Sequence, residues 1–206
     1  GGETVWGVEA IMLSAGTNVQ WLRDDLGIIA TAEQSHELAA AVTSTEGVVY
    51  VPALLGLGTP HWDYGARGTL LGLTRGADRR HVVRAVLEGV AQRGTDLVEA
   101  AEADAGGEIP VLRVDGGMSR NPTFVQLLAD ASQRPVEGSP VVEATTLGAG
   151  YLAAMAVGEL DGFDDVAASW RPAAAIEPGP ALDRDRWREA VSRSRRWFDE
   201  LSSIDF

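Results

Sequence analysis

Residues 112–123 read L-R-V-D-G-G-M-S-R-N-P-T. Val111, Leu112 and Val114 make a short apolar strand that ends in Asp115 and the pair Gly116-Gly117. Asn121-Pro122 then opens a helix, because Asn is a favoured N-cap and Pro at the first helical position has no amide to leave unpaired. Strand, glycine turn and capped helix bring bare backbone to the end of a strand, where ligands of open α/β sheets bind. Taken alone, the D-G-G turn is first of all a tight bend between a strand and a helix. Its neighbourhood decides whether it is more.

Downstream, Phe124, Val125, Leu127 and Leu128 predict a helix over 122–132, and Val136 with Val141-Val142 predicts a short strand. Glu143 starts a helix full of small residues. Gly148, Ala149, Gly150, Ala153 and Ala154 leave one face nearly bare, which predicts a tightly packed helix pair or a hinge. R-P-A-A-A-I-E-P-G-P at 171–180 reads as a loop, and 183–201 as a charged amphipathic helix anchored by Trp187, Val191, Trp197 and Phe198.

Upstream, Asp78 caps the longest predicted helix, 79–105, and Gly106-Gly107 ends it. Its expected core face carries Val82, Val83, Val86, Leu87, Val90, Leu97, Val98 and Ala101. Strands are predicted over 69–73 and 48–55, and an Ala-rich helix over 33–42. A turn at 14–18 leads into a helix with Val19, Trp21, Leu22 and Leu26 on its apolar side, stopped by Gly27. Alternation over 4–12 predicts one more strand. Strands alternating with helices give an α/β fold with a mixed sheet flanked by helices. Residues 1–163 form the expected domain, with 164–206 as a C-terminal loop and amphipathic helix packed on it.

The formal net charge of −13, with no compensating basic cluster, argues against nucleic acid or an anionic membrane as partner. With no cysteine there is neither a disulfide nor a thiolate metal site. No apolar run reaches the ~18 residues of a membrane span, so no stable membrane insertion is expected and the location is cytoplasmic. The loop G-L-G-T-P-H-W-D-Y-G-A-R-G at 56–68 holds His61 and Asp63. One His beside one Asp, with no third ligand, reads as loop hydrogen bonding, and G-x-G alone is a weak phosphate cradle. His36 reads as a surface residue and Gln20, taken alone, as a solvated helix position. Gly1-Gly2-Glu3-Thr4 reads as the interior of a longer polypeptide.

Residues 68–88, G-T-L-L-G-L-T-R-G-A-D-R-R-H-V-V-R-A-V-L-E, resemble the second signature of the FGGY family of carbohydrate kinases. His81 stands at its polar position and A-V-L-E at 85–88 closes it. The loop at 56–68, S-A-G-T-N-V-Q-W-L-R-D at 14–24, V-D-G-G-M-S-R-N and A-T-T-L-G-A-G-Y-L-A-A are similar to the glycerol-kinase branch of that family. These segments spread over about 5–158 in the family's order.

The resemblance implies an actin-like ATPase fold, in which two ribonuclease-H-like domains close over ATP and substrate, and it implies that this chain is the C-terminal one. The other domain would carry the phosphate loops, the glycerol contacts and the aspartate base, so no catalytic residue and no metal ligand is carried over here and the chain alone is expected to be inactive. Nucleotide contacts do carry over: Gly16 and Gln20 from the A-G-x-x-x-Q segment, Gly117 and Asn121 from the turn. The two glycines admit a nucleotide close to backbone, the amides at the Asn121 helix start face negative charge, and two side-chain amides offer donor and acceptor together. The implied cofactors are ATP and Mg²⁺. The implied partners are the N-terminal domain, ATP or ADP, glycerol held mainly by the other domain, and further copies of the protein in a homo-oligomer. M-S-R after D-G-G also suits xylulose and gluconate kinases. A non-catalytic actin-like nucleotide-binding module is the alternative of another class.

Overall fold

A computed structural model describes residue 4 and residues 6–202. Gly1, Gly2, Glu3 and Val5, on which parts of the N-terminal expectations rest, lie outside the described residues.

The fold is built on α3 (Arg79–Ala105). Asp78 caps it: Arg80 N donates to the Asp78 carboxylate at 2.9 Å, and Asp78 N donates to His81 Nδ1 at 3.1 Å. The hydrogen bond from the Arg80 guanidinium holds the Asp78 carboxyl well below the usual carboxylate range. Gly106, at φ 68°, closes the other end in the left-handed conformation that lacks a Cβ penalty. Val83, Val86, Leu87, Val90 and Ala91 are buried in the main core. Leu97, Val98 and Ala101, expected in the same face, are half-buried, because the apolar stripe narrows toward the helix C-terminus, and Val82 in the first turn is half-buried too. At Gly89 the helix meets another backbone: a Cβ there would sit 2.1 Å from the Tyr50 carbonyl oxygen.

Tyr50 lies in β1 (Val49–Val51), which pairs antiparallel with β2 (Thr69–Leu71). The second sheet is β3 (Leu112–Val114), β4 (Val136–Gly138) and β5 (Ala174–Ile176). β3 and β4 are parallel, with Leu112 opposite Val136; β4 and β5 are antiparallel. The sheet is therefore mixed. Between β3 and β4 run the 3₁₀ turn Gly117–Arg120 and α4 (Pro122–Ser132), whose Phe124, Val125, Leu127 and Leu128 enter the core against α3. Before β1 come α1 (Thr17–Gln20), continued as a π-helix over Trp21–Asp25, and α2 (Gln34–Ala40).

α7 (Arg184–Ser194) packs Trp187, Ala190 and Val191 onto Val51, Ala53, Leu57 and Ala66, a second small core. Arg184 bridges from it to Asp96 at 2.7 Å and Glu99 at 2.9 Å on α3, and Trp187 Nε1 donates to Asp96 at 3.0 Å.

Several expectations are corrected. Residues 6–12 form no strand: alternation supplies a face but, among the described residues, no ladder partner, and Ile11 exchanges its hydrogen bonds with Thr59 in the loop beyond β1. Val141 and Val142 are bends, since the strand over Val136–Gly138 is already paired on both sides. Leu26 is exposed because Leu26 N reaches back five residues to Trp21 O, rotating the apolar stripe. The segment read as loop after Arg171 contains β5, and α6 (Phe163–Ser169) precedes it. The C-terminal helix breaks after Ser194 and resumes as α8 (Asp199–Ser202). Trp197 is exposed and anchors nothing in the core, whereas Phe198 receives Arg67 at 4.6 Å from its ring centre.

α5 (Ala144–Ala156) departs most. It has no buried residue, and Cβ atoms built on Gly148 and Gly150 meet nothing within 4 Å. The close backbone approach that its small residues predicted is absent among the described residues.

Candidate functional site

The turn after β3 is held from below. Gly116 takes φ 79°, a conformation available to glycine at no steric cost, and its N–H donates to Val142 O at 3.2 Å. Ser119 Oγ donates to Gly116 O at 2.8 Å, and Asn121 N to Met118 O at 3.0 Å. Asn121 then caps α4 as its side-chain Oδ1 accepts from Phe124 N at 3.0 Å. Its Nδ2 donates to Ser35 Oγ on α2 at 2.9 Å. One N–H and one lone pair of that amide remain for a ligand. Gly117 is exposed, and the position of its missing Cβ is open space.

Gly16 stands beside this turn: a Cβ on it would lie 3.7 Å from Met118 Cγ. Gln20 follows one helical turn later, with Gln20 N donating to Gly16 O at 3.2 Å, and its side chain is exposed. Met118, Met12, Ala15 and Trp21 pack beneath onto the core. Two segments a hundred residues apart in sequence thus meet as one shelf of glycine backbone, exposed at Gly117 and half-buried at Gly16 and Gly116. Gly117 and Asn121 lie in the turn itself, Gly16 comes up to it beside the Met118 side chain, and Gln20 follows by its place on α1.

Behind the shelf, Asn18 is fully buried. Its Nδ2 donates to Ser14 O and Ala15 O at 2.9 Å, and it accepts from Tyr50 Oη at 2.8 Å. Burial pushes the Tyr50 phenol up, so it stays a donor. Ser14 Oγ adds a bond to Pro52 O at 2.9 Å, so the Gly16 turn is fastened to β1 and the residues after it. Asn18, Tyr50 and Ser35 were not legible as supports. Their partners lie 32 to 86 residues away, beyond the reach of any local signal.

The signature residues are scaffolding. His81 closes the capping box of α3. Glu88 holds Arg84 Nε at 3.0 Å, and Arg84 donates to the carbonyls of Ala39 at 3.2 Å and Val42 at 3.0 Å. Burial raises the Glu88 carboxyl, opposed by Arg84. In the long loop, buried Asp63 accepts from Gly65 N, Ala66 N, Arg196 N and Ser202 Oγ, which makes it a structural hub. His36 is half-buried and not a surface residue: its Nδ1 lies 2.8 Å from Thr123 Oγ1. A cavity of 640 Å³ between that loop, α3 and α7 is lined by His61, Trp62, Asp96 and Trp187 among others, and contains none of the four shelf residues.

The sequence profile of the FGGY family of carbohydrate kinases, C-terminal domain, matches residues 1–157. The chain belongs to this family. It is 47% identical over 201 residues to a glycerol kinase of Aromatoleum aromaticum, covering 95% of this chain and 40% of that protein. A glycerol kinase of Deinococcus radiodurans is 44% identical over 204 residues, covering 97% and 41%. The chain therefore spans about two fifths of the length of the curated relatives it matches. Among solved structures, Plasmodium falciparum glycerol kinase with ADP superposes with a TM-score of 0.77 at 32% identity, over 93% of this chain and 37% of that one. A xylulose kinase from Brucella ovis gives 0.76 at 31%, over 95% and 40%. The fold of this FGGY domain is that of the actin-like sugar kinases.

Proposed function

We propose that this chain is the nucleotide-binding part of a glycerol kinase, and that the intact protein transfers the γ-phosphoryl group of ATP to glycerol. The observation that carries the reading is the shelf, where the Met118 side chain comes so near Gly16 that a Cβ there would touch it, which sets the A-G-x-x-x-Q segment beside the D-G-G-x-x-x-N segment. On it, Gly16 and Gly117 let adenosine and its phosphates approach backbone. Gln20 and the free half of the Asn121 amide hydrogen-bond the ribose or adenine edge. ATP supplies the phosphoryl group. The chain's own work is to bind and orient, which is most of what phosphoryl transfer asks of a protein.

The base and the glycerol contacts are assigned to the N-terminal part. Its proposed docking surface includes the bare face of α5 together with exposed Trp6, Val8, Leu152 and Val157. Residues 1–163 are proposed as the domain proper, with 164–206 as its C-terminal extension. Among the described residues no group of three or more His, Cys, Asp or Glu side chains suits a metal ion. The implied Mg²⁺ would be held mainly by the phosphates of ATP, and no step is assigned to it. No helix of the described residues is long and apolar enough to cross a membrane, and a cytoplasmic homo-oligomer is proposed.

The xylulose-kinase reading draws on the nearly equal superposition with the Brucella ovis enzyme. The names of the relatives favour glycerol. A coupled assay of the intact protein with ATP across glycerol, D-xylulose and gluconate tests both. Glycerol is expected to give the highest kcat/KM, and preference for another substrate overturns the assignment.

A further inference from the structure

α2 meets the nucleotide shelf through two side chains and meets α3 through its C-terminal carbonyls. Ser35 is 1% exposed. Its hydroxyl donates to Ala32 O at 2.6 Å, so toward Asn121 it presents a lone pair, which accepts from Nδ2 at 2.9 Å. On the other side of the same amide, Phe124 N–H demands an acceptor and finds Oδ1 at 3.0 Å. A flipped amide would set donor against donor at Phe124 and acceptor against acceptor at Ser35. Both contacts select one orientation, and each buried mismatch is costly. One residue on, His36 Nδ1 and Thr123 Oγ1 at 2.8 Å tie α2 to the first turn of α4 a second time. At the far end Arg84, braced by Glu88, grips the carbonyls of Ala39 and Val42. α2 is thus held at both ends, between the signature segment of α3 and the turn.

We infer that Ser35 is a positioning residue for the nucleotide: its hydroxyl fixes the orientation of the Asn121 amide, and with it the groups that amide presents on the shelf. This rests on the nucleotide reading of the turn proposed above. It also gives Arg84 and Glu88 a task, holding the helix that carries Ser35 without touching the ligand.

The test uses the intact kinase, with KM for ATP, KM for glycerol, kcat and melting temperature measured for Ser35→Ala, Ser35→Cys, Asn121→Ala and the Ser35→Ala/Asn121→Ala double variant. Ser35→Ala is expected to raise KM for ATP roughly five- to tenfold, the scale of one lost hydrogen bond with a stranded donor, while KM for glycerol stays within about twofold. Ser35→Cys, of similar shape but a weak acceptor, should fall between, and it carries the test if the Ala variant does not fold. On the Asn121→Ala background Ser35→Ala should add nothing, because the two act as one unit. A Ser35→Ala enzyme that melts lower with unchanged KM for ATP, while Asn121→Ala raises it, overturns the inference and leaves the nucleotide site standing. Independent, multiplying effects overturn it as well. If Asn121→Ala itself leaves KM for ATP unchanged, the nucleotide reading of the turn falls and the inference with it.

Discussion

Gly116 and Gly117 are neighbours with different tasks. Gly116 sits at φ 79° and ψ −175°, a region that is essentially glycine's alone, so Gly116→Ala should cost about 1–3 kcal/mol and lower the melting temperature. Gly117 lies outside that region and its Cβ position is empty. Gly117→Val should therefore melt close to the parent while raising KM for ATP far more than KM for glycerol in the intact enzyme, because on the proposed reading the valine occupies space the nucleotide needs. Thermal melts set beside the two Michaelis constants check both, and a Gly117→Val enzyme with unchanged ATP dependence would make the turn a bend and nothing else. The turn was legible in the sequence because glycine pairs and an Asn-Pro cap are local signals. Ser35 and His36 were not, since their partners lie 86 and 87 residues away and nothing periodic marks them.

At the scale of elements, α3 came through from sequence to structure with the same ends, because Asp78 and Gly106 terminate it locally. Its packing did not, since the contact that matters is a missing side chain. At Gly89 a methyl group would press within 2.1 Å of a backbone oxygen of β1. Gly89→Ala should destabilise the chain by at least ~1–3 kcal/mol, the usual range for overpacking, read as a lower urea midpoint. Glycine in α5 has the opposite standing. Composition pointed to a close helix pair, yet Gly150 faces open space, so small residues advertise an approach without saying which body makes it. Gly150→Leu in the 206-residue chain should melt no lower than the parent, because leucine meets nothing there and is the better helix former. The same change in the intact kinase should depress stability and turnover, because there the proposed N-terminal part covers that face. Residues 6–12 carry the same lesson: alternation promises a face, and a strand also needs a partner.

The whole molecule is tied at its C-terminal end by one carboxylate. Burial pushes Asp63 up, but hydrogen bonds from Ser202 Oγ and from the amides of Arg196, Ala66 and Gly65 bring it below its ordinary value. A carboxyl with a depressed folded pKa stabilises the fold fully above its unfolded pKa of about 3.9, and that share is lost as pH falls through the lower folded value. Asp63→Asn should accordingly melt below the parent at neutral pH, with the gap closing below about pH 4; a gap independent of pH would mean that the carboxylate's charge is not what holds the tail. The same molecule, net −13, leaves Trp6, Val157 and Phe163 more than 70% exposed. It offers a shelf with Gln20 and Gly117 open to solvent, and among the described residues no opposing wall to exclude water from a reacting phosphate. Spanning two fifths of its relatives, it contains no residue to which the resemblance assigns the base. The purified 206-residue chain, given ATP, Mg²⁺ and glycerol, should therefore form no glycerol 3-phosphate above background. The intact protein, carrying the same shelf, should turn over with a KM for ATP that responds to Gly117→Val. Phosphate transfer by the chain alone at a rate near that of the intact protein would show that base, acceptor site and water exclusion all reside in these residues, and would overturn the reading of the chain as one half of a kinase.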